Sequence, residues 1–270
     1  MPESPRFLLI SVLVLIAVVV ALASRRIGAN RRAAFLREVA LILSAFFIYH
    51  IVRNITEGSV MYALAHAYDI ADLERSLGFF VEPTWQATIV GEQWLVDLFN
   101  LIYIWGHWPY IGLVAIWLYV ARPQTYSLFR NAVLVSGGIG LICFSVYPTA
   151  PPRLAALGFV DTVVEHSNFY HVLQPPLLTN QYAAFPSLHF GWNLLIGIAL
   201  FREAKNPIFR ALGVIVPTLM FLAIVMTANH YFLDALAGAL IALVGLTVAS
   251  QLRQWSTKRE QEIPQPSVVV

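Results

Sequence analysis

Apolar runs of bilayer-crossing length recur along this 270-residue chain. A run of about 20 mostly apolar residues in hydrocarbon has one stable backbone, the helix, because every amide must find its partner inside the segment. Seven stretches qualify, roughly 7–23, 37–52, 94–120, 129–147, 189–201, 211–228 and 232–250. With 59% of residues hydrophobic and 12% charged, the chain is expected to be an all-α integral membrane protein with about seven transmembrane helices. Glycine and proline follow no triplet period and no 20–50-residue self-similarity is visible, which excludes collagen, disordered tail and solenoid. A net charge of +2 offers no basic face that could track nucleic acid, so no nucleic-acid partner is expected. The lone Cys143 can form no internal disulfide and lacks the companions of a thiolate metal site.

Charge sets the direction of threading. With the amino terminus outside, the segments 24–37, 121–130, 202–210 and everything after residue 251 face the cytoplasm and hold thirteen of the seventeen basic residues. The outer segments hold four, Arg6, Arg53, Arg75 and Arg153, which is the asymmetry of the positive-inside rule. The run 7–23 has a rival reading as a cleaved secretory signal ending in Ala21-Leu22-Ala23-Ser24. Its flanking arginines, Arg25, Arg26, Arg31, Arg32 and Arg37, follow it rather than precede it, which favours an uncleaved anchor. The expected organisation is an anchor and basic cytoplasmic loop over 1–36, a six-helix unit over 37–250 and a cytoplasmic tail without regular structure over 251–270. Between the second and third spans, residues 70–80 mix apolar and charged residues at helical spacing and form an outside amphipathic segment. It either caps the bundle or acts as a lid or lipid-entry ramp. Trp85, Trp94 and Trp255 suit the two interfaces as depth anchors. The preference for arginine, fifteen against two lysines, is a compositional correlate of GC-rich genomes and points to a bacterial source.

The polar residues gather in three clusters that this threading brings to the outer end of the bundle. Tyr147-Pro148-Thr149-Ala150-Pro151-Pro152-Arg153 is a rigid exit from the fourth span that delivers one guanidinium to the surface. Its bland alternative is an arginine snorkelling to the interface. In Phe185-Pro186-Ser187-Leu188-His189, Pro186 suits a first helical turn, so the amides of Ser187, Leu188 and His189 are expected to point out as an anion cradle. The alternative is an N-cap serine beside an interfacial histidine. In Asn229-His230-Tyr231-Phe232-Leu233-Asp234, the four-residue spacing puts His230 and Asp234 on one face, where the carboxylate can take one imidazole N–H and leave the other nitrogen as a nucleophile or base. An Asp and a His at the edge of hydrocarbon are costly to keep and functional by default.

Taken together and in order, Tyr-Pro-Thr-Ala-Pro-Pro-Arg, Pro-Ser-x-His and His-Tyr-x-x-Asp-Ala-x-Ala-Gly, each at the outer end of a span, resemble the type 2 phosphatidic acid phosphatase superfamily over roughly 37–250. More narrowly they resemble its branch related to inositol phosphorylceramide synthase. The resemblance implies a six-helix phosphatase-like core, no cofactor and no metal, and a lipid phosphate as substrate. It implies that His230 attacks phosphorus, Asp234 orients and charge-stabilises it, His189 protonates the leaving group, and Arg153 with Ser187 and the Leu188 amide holds the phosphoryl oxygens. Water, or an alcohol or polyol acceptor, then takes the phosphoryl group. Two cations of the better-known phosphatases are missing, since Val146 stands seven residues before Arg153 and Ile224 six before His230. Arg53, Tyr147 and Asn229 are candidate replacements, and the absence suits the headgroup-transferase branch. Asn100, Tyr103 and His107 lie three and four apart on one face of the third span, either lining a substrate cavity or forming an interhelical hydrogen-bond ladder. His50, His66, His166 and His171 show no partner spacing.

Three rivals belong to other classes. A Ser187–His230 intramembrane protease lacks the glycines of a nucleophile elbow and leaves Asp234 and Arg153 without a task. A metal site of His189, His230 and Asp234 rests on a weak spacing. A transporter or scaffold with a vestigial site finds no support in inverted repeats or broken helix pairs. The reading that follows is a plasma-membrane enzyme with its site on the periplasmic or exterior face, cleaving or transferring a lipid phospho-headgroup.

Overall fold

The structure, a computed structural model, describes residues 31–55, 59–162 and 180–262. The first expected span, 7–23, and the loop histidines His166 and His171 lie outside them, as does the Arg53 side chain. The described residues form an all-helical fold of nine α-helices and one short 3-10 turn at Pro152–Leu154. In chain order these are α1 Arg31–Ile55, α2 Val60–Ser76, α3 Glu82–Val90, α4 Gln93–Trp105, α5 Trp108–Ala121, α6 Pro123–Val146, α7 Leu188–Glu203, α8 Pro207–Met226 and α9 Phe232–Glu262.

Three of these are long and apolar enough to cross a membrane: α6, α8 and Phe232–Arg259 of α9. The pair α4 and α5, which meet at a bend of 42°, is long and apolar enough only when taken together, as a broken span or a re-entrant loop. The third expected span, 94–120, is therefore broken rather than continuous. The cause is local: Pro109, in the first turn of α5, has no amide to give and its ring would strike the carbonyl one turn back. Gly106 ends α4 and His107 precedes α5, so the break is marked by Gly106, His107 and Pro109 together. The tail is corrected as well. α9 continues without interruption to Glu262, so the residues after 251 begin as helix rather than as irregular chain.

Helices α5, α6, α7 and α9 pack around one core that includes Leu118, Phe129, Phe144, Trp192 and Leu195, and α8 packs with α4 around a second that includes Phe99, Tyr103 and Met220. The closest approach is between α7 and α9, where Gly191 and Gly238 face each other and a Cβ on Gly238 would collide with the backbone carbonyl of Ser187. Small residues at that crossing let two backbones meet, the usual basis of helix association in lipid. Outward-facing Leu113, Ile116, Val120, Ile142, Leu236 and Leu240 are exposed, as a lipid-facing surface requires. The ends away from the site are tied by polar contacts: Arg122 pairs with Glu203 at 3.2 Å, and Glu38 of α1 receives Arg130 and Tyr126 of α6.

The segment between the second and third expected spans is two helices, α2 and α3. Helix α2 buries Ala63, Ala67, Ile70, Ala71 and, unexpectedly, Glu74, while Met61, Tyr62, Leu73 and Leu77 are exposed. Its small-residue face lies against Ala150, Ala155 and Tyr231, so it covers the motif end of the bundle.

Candidate active site

The three motifs form one hydrogen-bonded unit, and their backbones do the joining. Thr149 and Ala183 form a parallel bridge, with the Thr149 amide donating to Tyr182 and the Ala184 amide donating to Thr149. The Arg153 amide donates to the Ala228 carbonyl at 2.9 Å, and the Ser187 amide donates to the Asp234 carbonyl at 2.9 Å. Residues up to 85 positions apart are thereby brought to one place at the ends of α6, α7, α8 and α9.

His230 sits on the turn between α8 and α9. That turn is built by the end of α8: the Asn229 and His230 amides both donate to the Ile224 carbonyl at 3.0 Å, and Ala228 takes the left-handed φ of +52° that stops a helix. A non-glycine in this conformation costs about 1 kcal/mol and marks a backbone held by its surroundings. The buried His230 ring donates from Nδ1 to the Ala184 carbonyl at 2.8 Å. A carbonyl can only accept, so Nδ1 carries a proton, and in the neutral ring the lone pair is then on Nε2.

Asp234 differs from expectation in one respect. Its Oδ2 lies 3.4 Å from His230 Nδ1, near enough to stabilise a charged imidazole, but the same oxygen takes the Tyr231 amide at 2.9 Å. The ring is oriented by Ala184, and Asp234 lies beside it, held in place by the Tyr231 amide. The reason is that α9 begins only at Phe232, so His230 precedes the helix and the four-residue rule of a helix face does not apply to it.

The anion cradle is corrected too. Pro186 precedes the helix instead of occupying its first turn, and Ser187 is the N-cap, with its hydroxyl accepting from the Phe190 amide at 3.4 Å. Its own amide is bound to Asp234, and the residue is fully buried, so it is a cap and a tie between helices. Leu188 is the first helical residue and its side chain fills the space left by Gly140. His189 follows, its ring centred 5.9 Å from that of His230.

Arg153 is held on both sides. Its Nε donates to Asn229 Oδ1 at 3.1 Å and its Nη1 to Asp161 Oδ2 at 2.6 Å. Asn229 is aimed by Thr227, whose Oγ1 accepts from Asn229 Nδ2 at 2.8 Å, which leaves the amide oxygen toward the guanidinium. Asp161 was not anticipated from the sequence. It stands eight residues after Arg153 in a loop, a spacing with no structural meaning of its own.

The stripe on the third span divides. Tyr103 stacks on His189 with centroids 4.9 Å apart, and His107 lies 4.4 Å from His189. His107 Nδ1 accepts from Asn193 Nδ2 at 2.8 Å, and the same amide donates to the His189 carbonyl at 2.9 Å. Asn193 is one helical turn beyond His189, a signal that was visible. Asn100 instead donates to the Thr162 carbonyl at 2.8 Å and anchors a loop. Tyr147 stacks on His66 at 3.9 Å and meets Phe185 edge-on, and burial raises its phenol above the ordinary range. His66 is thus a partnered residue, donating to the Pro148 carbonyl at 2.7 Å.

The two positions without their cations are also placed. Val146 is exposed on the outside of α6, and Ile224 is buried in an apolar cluster with Phe99, Tyr103 and Met220. Among the described residues no group of three or more His, Cys, Asp or Glu is arranged to hold a metal ion.

Residues 68–248 match the family described as the PAP2 superfamily. No curated protein matches the chain. Among solved structures it is similar to the crystal structure of Aquifex aeolicus LpxE, at 16% sequence identity and a TM-score of 0.45, over 58% of this chain and 86% of that one.

Proposed function

Since the chain belongs to the PAP2 superfamily, we propose that it is a membrane enzyme that removes or transfers the phospho-headgroup of a lipid phosphate through a phosphohistidine at His230. The observation that carries this reading is the His230 ring, fixed by Ala184 with Nε2 bearing the lone pair and Asp234 3.4 Å from Nδ1. Such an imidazole is a competent nucleophile, because the positive charge it gains on attack is met by a buried carboxylate.

In the proposed reaction the Nε2 lone pair forms the bond to phosphorus while the bond from phosphorus to the leaving oxygen breaks. His189 gives that oxygen a proton, and Arg153 holds the phosphoryl oxygens. Water or an alcohol then attacks phosphorus, losing its proton to His189 and releasing His230. Arg153 meets the incoming anion with Asp161 already bound to it, so phosphate exchanges with one carboxylate.

The lipid class is narrowed by Val146 and Ile224. With apolar residues where the better-known phosphatases carry Lys and Arg, a terminal phosphate bearing two negative charges is poorly matched, whereas a phosphodiester headgroup carries one. This favours headgroup transfer of the inositol phosphorylceramide synthase type over simple phosphatidate hydrolysis. We place the catalytic unit within 37–250 and the site on the outer face of a bacterial plasma membrane, as the thirteen-to-four division of basic residues supports.

The test is purified protein in detergent, wild type beside His230→Ala, given lipid phosphomonoesters and phosphodiesters with and without alcohol acceptors, with products read by mass spectrometry. Free phosphate that disappears in the variant identifies a phosphatase. A His230-dependent new phospholipid with little free phosphate identifies a transferase. Identical traces across the panel overturn the reading.

A further inference from the structure

Three carboxyl groups converge on the start of α9, and only Asp234 belongs to the motif there. The Tyr231 amide donates to Asp234 Oδ2 at 2.9 Å, the Phe232 amide to Glu82 Oε1 at 2.8 Å and the Leu233 amide to Glu74 Oε1 at 2.8 Å. Three consecutive amides that a helix start leaves without partners are therefore each taken by a different carboxyl. Glu74 comes from α2 and Glu82 from α3, some 150 residues away in sequence. Both are fully buried.

Their other oxygens complete the picture. Glu74 Oε2 and Glu82 Oε2 are buried and accept from no donor among the described residues, and because the other oxygens sit on the consecutive amides of Leu233 and Phe232 the two carboxyl groups lie side by side. Two buried carboxylates in contact cannot both be ionised; one proton between them satisfies both oxygens and halves the charge. A single negative charge also suits the positive end of α9, where Asp234 already stands and a third charge would repel it.

We propose that Glu74 and Glu82 share one proton and act as a positioning clamp, gripping the first amides of α9 so that the turn carrying His230 and Asp234 is held against Ala184 and Ser187. This rests on the reading of His230 as the nucleophile. It gives the outside helices a task beyond covering the bundle: they fix the geometry of the reacting histidine from above. The groups that face the pair are Asp234 and Tyr231, and Tyr68 acts in turn on Tyr231. Burial first, then the hydrogen bond with Glu82, raises Glu74 from 4.5 to about 9. The folded value lies above the unfolded one, so the stabilisation is complete below pH 4.5 and is lost as pH climbs toward 9, where the shared proton leaves and repulsion opens the clamp.

Glu74→Gln tests this, because glutamine is a permanent stand-in for the protonated carboxyl: its oxygen accepts from Leu233 and its NH2 donates to Glu82. The expected result is a kcat within about threefold of wild type at neutral pH, whereas Glu74→Ala lowers kcat by about tenfold to a hundredfold with KM nearly unchanged, as displacement of a reacting group does. Independently of turnover, the melting temperature of the wild type in detergent should fall between pH 5 and 9 more steeply than that of Glu74→Gln. If Glu74→Ala does not fold, that melting comparison and the Glu74→Gln activity decide. Equal pH dependence of melting in wild type and Glu74→Gln, or a Glu74→Ala variant with wild-type kcat, overturns the clamp. A wild type without His230-dependent turnover on any lipid phosphate overturns the functional reading instead, and the melting comparison still judges the pair.

Discussion

Asn229 and Asp161, which hold Arg153, come from opposite ends of what a sequence can reveal. Asn229 belongs to a motif, one residue from His230, and its tie to Arg153 is what makes two motifs one site. Asp161 lies in a loop and pairs with the cation, and in the proposed reaction an anion takes its place. Arg153→Ala should lower kcat/KM by about 10²–10³-fold, the usual cost of removing one donor aimed at developing charge. Asp161→Asn keeps an oxygen for Nη1 while removing the competing charge, so inorganic phosphate should inhibit that variant at lower concentration than wild type. A phosphate inhibition curve measured on both proteins checks this, and weaker inhibition in Asp161→Asn would mean that Asp161 only aims the guanidinium. His230, His189, Arg153 and Asn229 were legible because polar groups at the end of an apolar run stand out. Ser187 was legible as a residue of the site but not as a buried cap, since a serine before a helix has the same sequence whether its amide is bare or bound to another helix. Glu74 was not legible at all: a carboxylate among the apolar residues of an outside helix reads as its wet face. In α2 the rule is reversed, with Leu73 and Leu77 exposed and Glu74 buried.

At the scale of elements, periodicity found the helices and chemistry of single residues ended them. Pro123 and Pro207 open α6 and α8, six and four residues before the starts read from hydropathy, and Asn206 caps α8 by accepting the Ile208 amide at 2.8 Å. The break between α4 and α5 was missed because the apolar residues on either side of Gly106-His107-Trp108-Pro109 add up to one run of spanning length. The crossing of α7 and α9 matters most for the site, since the Ser187 amide to Asp234 carbonyl bond spans it. Gly238 permits that approach. A methyl group there meets the Ser187 carbonyl, which is backbone and has nowhere to go, so Gly238→Ala should destabilise by about 1–3 kcal/mol and separate the helices that carry His189 and His230. Gly112, on α5, has nothing within 4 Å of an added Cβ. Gly112→Ala should therefore be neutral or stabilising by up to about 1 kcal/mol through helix propensity alone. Thermal unfolding of the two variants in detergent, with phosphate release measured beside it, separates a tight crossing from a general intolerance of alanine.

For the whole molecule, the ends of the helices carry opposite burdens. Each of α6, α7, α8 and α9 has one terminus at the motifs, and Arg122, Arg130, Arg202, Lys205, Arg210, Arg253, Lys258 and Arg259 gather at the other. A polybasic end stays on the cytoplasmic side during insertion, so the motif end with α2 and α3 should face outward. That arrangement suits a lipid phosphate, whose tails remain in hydrocarbon while its headgroup reaches His230 at the surface. Cys143 is the single cysteine, so replacing it with serine leaves a chain in which any new thiol reports its own side. Leu77→Cys, at an exposed position just after α2, and Thr257→Cys, at an exposed position near the end of α9, probe the two ends. In intact cells a membrane-impermeant maleimide should label the Leu77→Cys variant at once and the Thr257→Cys variant only after the membrane is permeabilised. The reverse pattern would put the site in the cytoplasm, where soluble acceptors and anions differ, and the charge argument for its orientation would fail with it.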